Sequence, residues 1–121
     1  MKRIQNFING EFVEAASGRL FDKRSPLDNQ LIAQVSEAGR PEVEAAVAAG
    51  HAALVGEWGH ITVADRVGLL YGVANEINRR FEDFLAAEVA DTGKPMSLAR
   101  HLDIPRGAAN FKIFADVVKN V

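Results

Sequence analysis

The side chains able to act as a base, a nucleophile or a metal ligand are few in this sequence and widely spaced. His51, His60 and His101 stand far apart, and none has a second ligand at an interval such as H-x-x-x-H, so neither a zinc centre nor a histidine base is indicated. Ser17, Ser25, Ser36 and Ser97 lie among turn and cap residues with no G-x-S-x-G around them, which argues against a serine hydrolase. The absence of cysteine removes disulfides, thiolate zinc sites and thiol nucleophiles together.

Phosphate chemistry has no better footing. No G-x-G-x-x-G or G-x-x-x-x-G-K-[ST] follows a strand pattern, and Asp91-Thr92-Gly93-Lys94 resembles a Walker loop only superficially. Read locally, it is a helix stop in which Gly93 takes positive φ. Gly68 and Gly72, four apart inside a helical pattern, suggest close packing against another backbone.

The whole chain is 121 residues, 48% hydrophobic and 25% charged, the proportions of one soluble globular domain. Fourteen basic against 16 acidic residues leave a net charge of −2, which gives no nucleic-acid footprint. No apolar run approaches the roughly 20 residues that span a bilayer, and Met1–Asn6 leads into no apolar leader segment. The expectation is a cytoplasmic protein without a membrane or nucleic-acid partner.

Two kinds of element must carry whatever chemistry there is. Asn9-Gly10 between Phe7-Ile8 and Glu11-Phe12-Val13 predicts a hairpin with a type I′ turn, because both central residues need positive φ. Arg19–Asp22 and Leu31–Val35, separated by Ser25-Pro26-Leu27-Asp28-Asn29, predict a second extended pair, and no other strand is signalled. From Pro41 the period becomes helical, with Val43, Ala46, Val47, Gly50 and Leu54 on one face and Trp58-Gly59 as the connection that ends it. Thr62 with Asp65 predicts a capped helix whose stripe is Val63, Val67, Leu70, Tyr71, Ala74 and Ile77. Phe81, Phe84, Leu85 and Val89 predict a shorter helix ending at Gly93-Lys94-Pro95. Pro105 then predicts a kink, or a restart with Asp103 near the cap, before a last helix patterned by Ala109, Ile113, Ala115, Val117 and Val118.

Taken together, Asn6–Phe12, Ser17–Phe21, Ser25-Pro26, Asp91–Pro95 and Phe111–Ala115 resemble, in order and spacing, the opening of an NAD(P)-dependent aldehyde dehydrogenase. The resemblance covers the whole chain. It implies an α/β fold: an N-terminal hairpin and short strands over residues 1–38, then four or five helices over 40–121. These form an incomplete N-terminal segment of a Rossmann-like dinucleotide-binding domain, with the catalytic domain absent. The family's oxyanion asparagine, NAD-binding turn, glutamate base and catalytic cysteine have no counterparts here. No catalytic or cofactor-binding residue is therefore assigned, and the chain is expected to be an inactive fragment of an NAD-dependent, homo-oligomeric enzyme.

Within that family, Leu102–Phe111 is similar to the branch that oxidises muconic semialdehydes. The resemblance implies that Leu102 and Arg106 face the substrate channel. Many relatives that take uncharged aldehydes have an apolar residue where Arg106 stands. A guanidinium there suits a substrate whose far end is a carboxylate, because its fork donates two parallel charge-assisted bonds; the alternative is a solvated helix arginine. The resemblance also implies a monovalent cation held by the carbonyls of Lys23 and Arg24 and by Asp91, against the alternative of Asp91 as a local helix-end group. The rival to a dehydrogenase fragment is a non-catalytic binding or assembly module of the same ancestry, which should close its own apolar faces.

Overall fold

Asn9 and Gly10 both adopt positive φ, 53° and 82°, in the computed structural model, which describes residues 1–121. The expected hairpin follows from that turn. The strands are β1 (Lys2–Ile4), β2 (Asn6–Ile8), β3 (Glu11–Val13), β4 (Leu20–Arg24) and β5 (Leu31–Ser36). β2 and β3 pair antiparallel with Phe7 opposite Phe12, whose ring centroids are 5.0 Å apart. β4 and β5 form the second expected pair, also antiparallel, and their connection places Asn29 at φ 58°.

The sequence pattern missed β1. It pairs parallel with β5, Lys2 opposite Ala33, so that β5 is the middle of a three-stranded sheet ordered β1-β5-β4. Lys2-Arg3-Ile4 is short, exposed and without alternation, so only its distant partner makes it a strand.

The chain divides into two compact units, Met1–His60 and Ile61–Val121. In the first, the sheet is joined to helix α1 (Arg40–Val55) through polar groups. Ala15 donates its backbone N–H to Ser36 Oγ at 2.7 Å, and Ala16 donates to Glu42 Oε1 at 2.8 Å. Pro41 sits in the first helical turn as expected. The apolar face expected of α1 is not covered within its unit: Val43, Val47 and Leu54 are 58%, 55% and 65% exposed, and the one side chain that α1 buries is Glu42. Trp58-Gly59 is likewise more than a connection, since Glu57–His60 forms a single turn, α2. Only glycine fits at position 59, because a Cβ there would lie 1.8 Å from the Leu54 carbonyl oxygen.

In the second unit, α3 (Val63–Arg79) begins with the expected box: the Asp65 N–H donates to Thr62 Oγ1 at 3.1 Å, and the Thr62 N–H donates to Asp65 Oδ2 at 3.3 Å. Val67 and Ala74 are buried, whereas Val63 at the edge of the stripe is exposed. Gly68 and Gly72 pack against no other backbone within residues 1–121, since a Cβ at either would meet nothing within 4 Å. Helix α4 (Phe81–Thr92) stops where Gly93 turns left-handed at φ 69° and donates to the Val89 carbonyl at 2.9 Å. Leu85, Ala99 and Ile104 form the buried cluster, with Ile77, Phe81 and Val89 packed against it.

Of the two outcomes expected at Pro105, the structure has the restart, in helical form: α6 begins at Ile104 with Asp103 at its N-cap position and Pro105 in its first turn. The backbone stays helical through α5 (Met96–Leu98), a π turn (Ala99–Asp103) and α6 (Ile104–Lys119). Asp103 is itself helical, at φ −69° and ψ −50°, and makes no side-chain cap. The Ile104 N–H reaches back five residues to the Ala99 carbonyl. A proline ring clashes with the carbonyl four residues before it, and the widened turn makes room for that ring. α6 consequently buries Ile104, Ala108 and Ala115, leaving Ala109, Ile113, Val117 and Val118 of the expected pattern exposed. No helix is long and apolar enough to cross a membrane.

Candidate functional site

Leu102 lies in the π turn and Arg106 in the first turn of α6. Four residues apart on a helix, they share a face, and both are exposed. Arg79, Arg80 and Arg100 each hold a carboxylate of this chain, whereas Arg106 holds none.

Two ion pairs fasten the turn beneath them. Lys94 donates Nζ to Asp103 Oδ2 at 2.9 Å and stands 3.7 Å from Glu88 Oε1. Arg100 grips Glu82 with both terminal nitrogens, at 2.7 and 3.0 Å. The hydrogen bond to Asp103 raises the Lys94 ammonium above its ordinary pKa, and the bond from Arg100 lowers the Glu82 carboxyl. Sequence reading found none of these four partners, since each pair joins residues whose distance in the chain leaves no local pattern. Tyr71 and Asp116, hydrogen-bonded between α3 and α6, escaped it for the same reason.

A groove of about 540 Å³ opens between α3 and α6, lined by Tyr71, Asn75, Asn78 and Lys112 among others. Neither Leu102 nor Arg106 is among its lining residues.

Of the expected cation ligands, Lys23 and Arg24 are adjacent on β4, where the register with β5 shifts between them. Such a shift disrupts the ladder locally. The Arg24 guanidinium is turned to Asp22 at 3.2 Å and to the Asn29 carbonyl at 3.1 Å. Asp91 is in the last turn of α4, in the other unit. No group of three or more His, Asp or Glu side chains is arranged to hold a metal ion.

A free helix N-terminus is one ready site for a dinucleotide's pyrophosphate. At α1 the position is taken by Glu42, which accepts from the Gly39 and Ala16 N–H groups and is held below its ordinary pKa by those two bonds. At α3 it is taken by Asp65 and Thr62, and α4 opens with Glu82 and Asp83. These three helix ends therefore offer no free N-terminus to a pyrophosphate.

Residues 12–121 match the aldehyde dehydrogenase family. The chain belongs to that family. It is 60% identical over 121 residues to the 2-hydroxymuconic semialdehyde dehydrogenase of Pseudomonas sp. (strain CF600), covering 100% of this chain and 25% of that enzyme. It is 53% identical over 118 residues to a 2-aminomuconic 6-semialdehyde dehydrogenase of Pseudomonas sp., covering 98% and 24%. The NAD+ complex of the Bacillus cereus aldehyde dehydrogenase superposes with a TM-score of 0.92 at 35% identity, over 95% of this chain and 24% of that one. This aldehyde dehydrogenase chain thus spans about a quarter of the length of the relatives it matches. Its mixed α/β fold is that of their N-terminal portion.

Proposed function

We propose that this chain is the N-terminal part of the coenzyme domain of a dehydrogenase that oxidises a carboxylate-ended semialdehyde to the acid with NAD. In that enzyme it forms one wall of the substrate channel, with Leu102 as an apolar contact and Arg106 as the partner of the distal carboxylate. The observation that carries this reading is Arg106 itself, a fixed cation on an exposed helix face with no acidic partner in its own chain. The identity to muconic semialdehyde dehydrogenases supports it, since those substrates have a carboxylate opposite the aldehyde.

The chemistry follows from what an aldehyde needs. Oxidation requires a nucleophile at the carbonyl carbon, an acceptor for hydride and a base to activate water. With no cysteine, this chain supplies no thiolate, so it should show no turnover alone. Its own part is to bind and orient: a guanidinium engaging the far carboxylate aligns the carbonyl at the other end. The uncovered faces of α1 and α6 support a segment that packs against further structure over a module that closes upon itself.

Replacing Arg106 by Ala in the whole enzyme should raise KM for the semialdehyde by about 10²-fold, the effect of losing about 2–3 kcal/mol of charge-assisted binding. An unchanged KM would overturn the assignment. Turnover by residues 1–121 alone, with NAD and a semialdehyde, would overturn the claim that the chain is inactive by itself.

A further inference from the structure

The charged residues of α6 are Arg106, Lys112, Asp116 and Lys119. The last three are turned toward α3: Lys112 lines the groove with Asn75 and Asn78, Asp116 accepts from Tyr71, and Lys119 lines a smaller hollow with Val63 and Val67. Arg106 lines neither. It belongs to a stripe with Asn110, Ile113 and Val117, at i, i+4, i+7 and i+11, and all four are exposed. The stripe lies away from Ile104, Ala108 and Ala115, the residues that α6 buries.

A helix face turned to water is charged and polar, and this one is not. Ile113 and Val117 are 54% and 52% exposed, and Arg106 and Asn110 are the only polar groups beside them. An apolar wall with one cation and one carboxamide is the make-up of a ligand site, where a few polar groups fix orientation. The two are also neighbours. Residues four apart on a helix have Cβ atoms about 5–6 Å from each other. The Cα–Cβ bond of Asn110 tilts toward the helix N-terminus, and so toward the turn that carries Arg106. Neither side chain has a partner in this chain.

We propose that Asn110 is a specificity-determining residue that reads the carbon next to the substrate's distal carboxylate and selects semialdehydes with a hydroxyl or amino group on it. The proposal rests on the reading of Arg106 given above. With the carboxylate held in the guanidinium fork, the substituent on the adjoining carbon is the group that comes within reach one helical turn away. A carboxamide is uncharged and offers both a donor and an acceptor, so it pairs with a hydroxyl or an amine. Beside a bare C–H it is left unpaired, and that loss is what discriminates.

The test is steady-state kinetics of the whole enzyme with two semialdehydes of equal length. Both end in a carboxylate; one has a hydroxyl on the adjoining carbon and the other a hydrogen. Asn110→Leu, close to isosteric, should raise KM for the hydroxylated substrate about tenfold, while its KM for the other and both kcat values stay within about twofold. If Asn110→Leu does not fold, Asn110→Ala gives the same readout. Asn110→Asp keeps an acceptor but sets a negative charge beside the carboxylate, and should raise KM for both substrates. Arg106→Ala should also raise KM for both. Equal or absent KM changes in Asn110→Leu, with Arg106→Ala raising both, would overturn the role of Asn110 and leave that of Arg106 standing. Unchanged KM values in Asn110→Asp would place residue 110 away from the carboxylate and overturn the proposal as well. An unchanged KM in Arg106→Ala would instead overturn the reading of Arg106, and the role of Asn110 with it.

Discussion

Tyr71 on α3 donates its phenolic hydroxyl to the Asp116 carboxylate on α6, 45 residues further along the chain. The bond, together with its part-buried setting, raises the Tyr71 pKa above its ordinary value of 10.0. It joins the two longest helices of the second unit.

Tyr71→Phe should therefore lower Tm by about 3–5 °C, since the Asp116 carboxylate loses its donor while the ring still packs. The neutral hydroxyl is the bonded form, so its contribution is complete below pH 10 and disappears as pH rises through the raised native value. Thermal melts of both proteins from neutral to strongly alkaline pH should converge, and a constant gap would contradict the assignment.

Glu42 gives the opposite dependence. Two backbone donors hold its carboxyl below the ordinary 4.5, so the unfolded chain takes up the proton first. The stability it contributes is complete above that value and is lost as pH falls below it toward the native pKa. Glu42→Gln should be less stable at neutral pH and show a flatter decline in urea unfolding as pH falls below the ordinary carboxyl value.

Gly93→Ala places a Cβ in the left-handed region and should cost about 1–2 kcal/mol. Guanidinium unfolding should show a lower midpoint at an unchanged slope.

Leu85→Ala removes the largest fully buried side chain and should cost about 2–5 kcal/mol, depending on how far the cluster with Ala99 and Ile104 collapses. Calorimetry would read this as a lower Tm, and a shift no larger than that of Tyr71→Phe would show that the cluster is not the core of its unit.

What could be read in advance was local. Asn9-Gly10, Thr62 with Asp65, and Gly93 each fix a turn or a helix end through chemistry contained within a few residues, and each is where the spacing predicts it. What could not be read depends on distant partners. β1 exists only through β5, and Lys94 finds Asp103 only once the chain has turned. The apolar face of α1 shows the limit from the other side: its periodicity identified a helix, yet Val43, Val47 and Leu54 have nothing to cover them in their own unit. For the site, Leu102 and Arg106 rest on resemblance, while the π turn that carries Leu102 has no signature beyond Pro105.

The parallel pairing of β1 with β5 has a consequence for biosynthesis. The β2–β3 hairpin closes across Asn9-Gly10 and is available as soon as Val13 leaves the ribosome. β1 is translated before either strand, yet Lys2 has no neighbour until Ala33 has emerged, and that pairing closes a long loop. Non-local pairings form later than local ones. β1 is thus made before the β2–β3 hairpin yet joined after it, and for this strand the order of assembly runs against the order of synthesis.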